Sequence, residues 1–374
     1  MKQLIYADNA ATTQLDSDAF EAMKPYLLGE YGNASQPYSF SRTAKKALKE
    51  CREIIAQCIG AAPEEIFFTS GGTESDNWAI KGSAFADMDK RATLTSMFEH
   101  HAILNACESI EHLGYPVAYL PVDSTGTLQP DFLSEGITER TRLVSIMLAN
   151  NEIGSVQDIP TLAKITHSHG AIFHTDAVQA VGHLDIDVNT LGVDMLSASA
   201  HKFNGPKGIG FLYIREGTPM IPYANGGAQE YGMRAGTENV ASIVGMAVAL
   251  KKNCELLNTT RNHIFSLERR LIANLEANGI EFLRNGSQNH IPGNISLSFP
   301  GRDGEALLHR LDLMGICVST GSACDSTNTQ ISHVLRAIGL EEYYAKGTIR
   351  ISLGKNNTTG DVEFIADALT KILK

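Results

Sequence analysis

Three features of the chain have the residue types and neighbours that chemistry needs. Lys202 follows the apolar run Met195-Leu196-Ser197 and the stretch Ala198-Ser199-Ala200-His201, and leads into the turn Phe203-Asn204-Gly205-Pro206-Lys207-Gly208. A lysine at the end of an apolar strand is partly desolvated, which lowers an amine's pKa and favours the neutral nucleophile that condenses with an aldehyde. Asp176 closes Phe173-His174-Thr175-Asp176, where the carboxyl ends of parallel strands gather ligands. The turn Ser70-Gly71-Gly72-Thr73 stands between a strand-like run and a helical pattern. Its free amides and the Thr73 hydroxyl suit an anion, and it lacks the lysine of a nucleoside-triphosphate loop.

An aldehyde anchor, an acid for a ring nitrogen and a phosphate seat are the parts that pyridoxal 5'-phosphate (PLP) requires. Ser199 and His201 flank the lysine with further donors for a phosphate. Gln179, about one helical turn after Asp176, offers a donor for the ring's phenolic oxygen. Singly, each feature has a plainer reading: Lys202 as a surface-loop lysine, Asp176 as a helix cap, the glycine pair as an ordinary turn. Their coexistence favours the cofactor, and no metal-ligand spacing competes with it.

The elements that must position these residues are legible as short apolar runs alternating with helical patterns, which predicts an α/β fold with a mainly parallel sheet. Seven strands are expected at residues 66–68, 93–95, 117–120, 143–147, 172–174, 195–197 and 210–214, apolar enough to be buried on both faces. Residues 44–59 carry Ala47, Leu48, Cys51, Ile54, Ile55 and Cys58 at three- and four-residue spacing, the stripe of a core-facing helix. An alanine-rich helix is expected at 236–252. Beyond it, strands at 295–299 and 348–352 mix with helices at 305–313 and 361–373, as in a smaller α+β domain. The predicted division is a large domain at 15–250 and a small one formed by 1–14 with 251–374.

A chain of 374 residues that is 43% hydrophobic and 20% charged is globular, and its length favours two domains. The 31 basic residues against 42 acidic give a net charge of −11, and they are scattered, which argues against nucleic acid as a partner. No window approaches the roughly 18 apolar residues of a membrane span, and the N-terminus lacks a signal-type apolar core. A cytoplasmic location without a membrane partner is the expectation. The six cysteines form no C-x-x-C pair and are too sparse for a disulfide framework.

Successive segments resemble the signatures of cysteine desulfurases, which are fold-type I PLP enzymes. They are Thr69 to Asn77, Glu99-His100-His101-Ala102, Asn150-Asn151-Glu152-Ile153-Gly154, His174 to Gln179, Ser199-Ala200-His201-Lys202, Gly232 to Asn239, Ser319 to Cys324, and Ile349 to Gly354. The resemblance covers essentially the whole chain. The family's Glu-Arg-Gly reads Glu230-Tyr231-Gly232 here.

The resemblance implies a large PLP-binding domain with a seven-stranded sheet and a small domain carrying a catalytic cysteine loop. It implies that L-cysteine is converted to L-alanine while its sulfur passes to Cys324 as a persulfide. Lys202, His100 and Cys324 are then catalytic, with His100 stacked on the cofactor ring. Gly72, Thr73, His100, Asn151, Asp176, Gln179, Ser199, His201 and Lys202 hold the cofactor. Asn151 and Arg350 bind substrate, Arg350 by clamping the α-carboxylate. Thr237 donates to the cofactor phosphate of the neighbouring subunit, which makes the protein a homodimer. The stretch after the last helix lacks the extended tail with which housekeeping members dock the iron-sulfur scaffold. That leaves the sulfur acceptor open among such a scaffold, a thiouridylation or thiamine pathway protein and a DNA-sulfur-modification partner. A selenocysteine lyase and a non-catalytic sulfur-relay protein are the rival readings of the same fold.

Overall fold

The computed structural model describes residues 4–87, 89–320 and 331–374. Seven apolar runs form one sheet: β1 (Ile66–Thr69), β2 (Ala92–Ser96), β3 (Val117–Leu120), β4 (Thr141–Ser145), β5 (Ile172–Asp176), β6 (Met195–Ser199) and β7 (Gly210–Ile214). Their spatial order is β1-β7-β6-β5-β4-β2-β3. From β6 to β3 all neighbours are parallel, whereas β7 runs antiparallel to both β6 and β1. This is the mainly parallel α/β sheet that the apolar runs predicted. Strands β4 to β7 are buried along their whole length, as sheets covered on both faces are. Expected as far as residue 147, β4 instead ends at Ser145. The amide of Met147 is taken by the carboxyl of Glu99, at 3.0 and 3.1 Å from its two oxygens, while the Ile146 and Leu148 amides still donate to His174 and Asp176 of β5.

Helix α1 (Arg42–Ile59) buries the predicted stripe and ends at Gly60, whose φ of 70° is the left-handed conformation that glycine adopts without steric cost. Helices α2 (Gly72–Ala84) and α3 (His101–Glu111) follow the turns after β1 and β2. The alanine-rich helix α4 (Val240–Glu255) starts four residues later than the pattern suggested, because the Asn239 side chain caps it by accepting from the Ser242 amide. Gly236 and Thr237 are therefore loop residues. Helix α5 (Leu257–Ala277) was not anticipated. Its surface is polar, and only Ile264, Leu267, Leu271 and Leu275 form an inward row among its apolar residues.

A second, antiparallel sheet has the order β10-β9-β8, from β8 (Leu283–Asn285), β9 (Asn294–Ser298) and β10 (Thr348–Ser352). It shares a hydrophobic cluster with α5 and with α6 (Thr359–Leu373), separate from the larger cluster that includes most of the central sheet and α4. The N-terminal segment joins the two. Ile5–Tyr6 pairs in parallel with Ile316–Cys317, and the chain then crosses to the strand ends of the large sheet, where the Thr13 amide donates to the His201 carbonyl at 2.9 Å. No helix among the described residues is long and apolar enough to cross a membrane.

Candidate active site

A cavity of about 290 Å³ opens where β4, β5 and β6 end. That is close to the lower end of the range for small-molecule sites, roughly 300 to 1,000 Å³. Every residue expected in the site lines it except Thr237 and Cys324. Cys324 lies outside the described residues. Thr237 lines a neighbouring depression with Ser70, Gly208 and Arg234.

Lys202 ends the short turn Ala200–Lys202 that follows β6. Its ammonium donates to the carbonyls of Ala10 at 2.6 Å and Ala11 at 2.9 Å. The same Ala10 carbonyl accepts from the Gln179 side chain at 3.0 Å, and His201 Nδ1 lies 3.0 Å from the Thr12 hydroxyl. The N-terminal segment is thus a strap tied to three residues of the cavity.

Asp176 is the last residue of β5, and its carboxylate accepts from the Val178 amide at 2.9 Å. The cap reading of Asp176 is partly met, but the element it opens is a turn closed by Ala180 N–H to Ala177 O, not a helix. Gln179 reaches the cavity from that turn, so the helical-turn spacing expected of it is corrected. Burial raises Asp176 to about 6, against the lowering effect of the Val178 amide and the Lys202 charge.

His100 caps α3, with Nδ1 accepting from the Ala102 amide at 3.1 Å. Burial, and after it the charge of Lys202, pushes the ring down to about 4. The ring is therefore neutral at ordinary pH, and the cap assigns its proton to Nε2. His101 packs on the ring of His333 at 4.7 Å and does not line the cavity.

Asn151 sits in a turn built by its neighbour. The Asn150 side chain donates to Phe98 O at 2.9 Å and accepts from the amides of Glu152 and Ile153 at 2.8 and 3.0 Å. The Asn151 carbonyl in turn accepts from Arg350 Nη1 at 3.0 Å and from the Asn294 side chain at 3.1 Å. Arg350, on β10 and 3% exposed, also donates from Nη2 to Asp8 at 2.7 Å, while its Nε is buried without a hydrogen bond. A buried donor left over on a guanidinium fork is what an incoming carboxylate satisfies.

The anion seat is shaped by absence of side chains. A Cβ on Gly72 would meet Val178 Cγ2 at 2.6 Å, and Gly71 holds a φ of 149°. The Ser70 amide donates to Glu74 at 3.0 Å, and Arg234 grips the same carboxylate with two hydrogen bonds of 2.8 and 3.1 Å. This fastens the Thr237 loop to the glycine turn.

Sequence reasoning missed Asp8, Asp76, Met147 and the carbonyls of Ala10 and Ala11. For Asp76 a signal existed: it lies four residues after Gly72 on a helix face that continues through Ala79, Ile80 and Ser83, all buried. Nothing local marked Asp8, whose partner is distant in the chain. None of the described cysteines lines the cavity. Burial pushes Cys51 and Cys107 up to about 12 and raises Cys317, so these behave as small apolar side chains.

Residues 5–365 match the family model described as aminotransferase class-V. The chain is 47% identical to a cysteine desulfurase IscS of Dictyoglomus turgidum, over all of this chain and 95% of that one. Among solved structures it resembles a NifS-like protein with a TM-score of 0.93 and 37% identity, covering 99% of both chains. A second, SspA in complex with cysteine, has a TM-score of 0.84 and 36% identity over 95% of this chain and all of that one. Full-length identity and matching architecture agree: the chain belongs to the cysteine desulfurase family of class-V aminotransferases.

Proposed function

We propose that this protein is a PLP-dependent cysteine desulfurase whose cavity takes L-cysteine, releases L-alanine and leaves the sulfur as a persulfide on Cys324. The observation that carries the reading is the meeting of Lys202, Asp176 and Arg350 in one cavity at the strand ends. The structure of a relative in complex with cysteine supports the substrate. In the overall reaction the substrate's Cβ–S bond breaks, an S–S bond to Cys324 forms, and the thiol proton is matched by the new hydrogen of the alanine methyl group.

The residues fit PLP. Gly71 leaves only Ser199 Oγ near where a side chain would stand, at 3.5 Å, and the glycine turn, the acid Asp176 and the amine of Lys202 line one cavity. When bound, PLP supplies a sink for the electron pair released at the substrate's α-carbon. Thr73, Ser199 and His201, with the free amides at the start of α2, hold the phosphate. The Asp176 carboxylate would hold a proton on the ring nitrogen, and Gln179 and Asn151 would serve the phenolic oxygen. Lys202 removes the α-proton and returns one, its ammonium steadied by Ala10 and Ala11. His100, neutral, would face the bound ring and holds a proton at Nε2 for transfer. The Arg350 fork clamps the α-carboxylate and so fixes which substrate bond faces the lysine.

Thr237 serves the phosphate of the partner subunit in a homodimer. We assign residues 15–250 to a large domain and 1–14 with 251–374 to a small one, supported by the separate cluster that Ile5 and Ala7 share with residues between 264 and 373, although Val334, Leu335, Ile338 and Ala345 pack with the large cluster. The persulfide then passes to a sulfur-acceptor protein, with an iron-sulfur scaffold, a thiouridylation or thiamine pathway protein and a DNA-sulfur-modification partner as the candidates.

The test is alanine and sulfide production from L-cysteine by PLP-loaded protein, beside Lys202→Ala and with selenocysteine as a second substrate. Wild type yields alanine from cysteine, and Lys202→Ala loses both the absorbance of protein-linked cofactor and the alanine. Cofactor absorbance with no alanine from cysteine would overturn the substrate assignment.

A further inference from the structure

One carboxyl of the cavity has no part in the reaction just described. Asp76 projects from α2, is 1% exposed, and its Oδ1 makes no hydrogen bond among the described residues. An oxygen of Asp76, an oxygen of Asp176 and a ring nitrogen of His100 all lie within 4.8 Å of one another. Two buried carboxyls at this separation do not both ionise, because each charge is desolvated and repels the other.

The surroundings decide which one keeps the proton. Asp176 has the Val178 amide at 2.9 Å and the positive charge of Lys202. Among the described residues no cation is paired with Asp76. His174 Nε2 stands 3.8 Å away, but that ring is bonded to Ser197 at 2.9 Å and to Ser145 at 2.8 Å, and burial pushes it down to about 3, so it is neutral. His100 is neutral as well. Glu99, pushed up to about 8 by burial, adds only repulsion when ionised. The Ser197 hydroxyl is the one group that favours an ionised Asp76.

We propose that Asp76 is a positioning residue that forms a buried dyad with Asp176, keeping one proton on itself so that the pair's single negative charge rests on Asp176. The dyad keeps the charge on the acid assigned to the ring nitrogen and off its neighbour on α2. Desolvation and the neighbouring Asp176 charge both raise Asp76 well above the usual carboxylate range, in the direction the dyad requires. The role at the ring nitrogen rests on the PLP reading above. The proton on Asp76 does not.

The test is infrared difference spectroscopy of the PLP-loaded enzyme at neutral pH, wild type minus Asp76→Asn, with Glu99→Gln to identify the other buried acid. The dyad predicts loss of a protonated-carboxyl stretch that shifts in heavy water. Loss of a carboxylate stretch instead would overturn it. Asp76→Ser serves the same comparison should the asparagine protein fold poorly.

Thermal midpoints supply a second readout. An acid raised in the folded state contributes stability below its unfolded pKa and loses it as pH rises. Asp76→Asn should therefore gain on wild type as pH rises above about 4, the ordinary range of an unfolded aspartate, and a constant gap would contradict the proposal. An Asp176→Asn arm separates the two readings. If its cofactor spectrum matches wild type while the Asp76 result stands, the ring-nitrogen assignment fails and the dyad survives.

Discussion

The two sides of the cavity treat burial in opposite ways. On the cofactor side, His100, His174, Asp76 and Asp176 are desolvated with few counter-charges. The histidines are pushed down to about 4 and about 3, and the acids are raised. On the carboxylate side, Arg350 is equally buried but meets Asp8 at 2.7 Å. Burial without a partner moves the first set toward neutrality, whereas the buried guanidinium on the other side is met by a carboxylate. A cofactor that shuttles protons needs the first condition, and a substrate carboxylate needs the second.

The comparison is most severely tested at Lys202, whose charge reaches both Asp176 and His100. Lys202→Ala should lower kcat for alanine formation by roughly 10²- to 10⁴-fold and abolish protein-linked cofactor absorbance. Retention of that absorbance would remove Lys202 from the cofactor side. Next in size is Arg350→Lys, which keeps the charge but loses the fork. KM for L-cysteine should rise by roughly 10- to 100-fold, about 1.4 to 2.8 kcal/mol, with the cofactor spectrum unchanged.

Asp8→Asn should raise KM by about 3- to 10-fold through looser placement of Nη2, with kcat little altered. A shift in the pH dependence of the cofactor spectrum would show instead that the two sides are electrostatically one.

The smallest effect concerns stability. His174, lowered to about 3 by burial, contributes stability that is present above its unfolded pKa, roughly 6.5, and lost as pH falls toward the folded value. His174→Asn forfeits the bonds to Ser145 and Ser197, about 1 to 3 kcal/mol at pH 7.5. It also escapes the acid-side loss, so urea midpoints of the two proteins should converge toward pH 4. A gap that widens on acidification would reverse the sign of the burial argument.

Legibility in the sequence follows the same division. The cofactor side is built from consecutive residues at strand ends, so Lys202, Asp176 and the Gly71-Gly72-Thr73 turn announced themselves through local pattern. The seven strands were legible because burial on both faces makes them continuously apolar. The carboxylate side is assembled across the fold: Asp8, Asn151 and Arg350 meet only because the N-terminal strap and β10 converge on one turn. No local pattern encodes such a meeting, and the clamping role of Arg350 came from the family resemblance. Helix α5 was missed because a narrow inward row is diluted by its polar surface. The turn after Asp176 was misread as a helix because Asp caps both elements with the same side-chain bond.

At Glu230 and Tyr231, backbone conformation also escaped the sequence. Both hold positive φ, 47° and 58°, without being glycine. Arg52 donates to the Glu230 carboxylate at 2.6 and 2.9 Å, and the Phe68 amide adds a third bond at 2.8 Å. Those bonds fix the turn that precedes Arg234 and Thr237.

The central claim is that sulfur leaves L-cysteine and remains on Cys324. Peptide mass spectrometry of PLP-loaded enzyme after a single turnover with L-cysteine, without reductant, measures it directly. The account predicts one added sulfur on the Cys324 peptide with an equal amount of alanine, and no added sulfur in Cys324→Ala. Alanine formed at the wild-type rate by Cys324→Ala, or added sulfur on another cysteine, would contradict it.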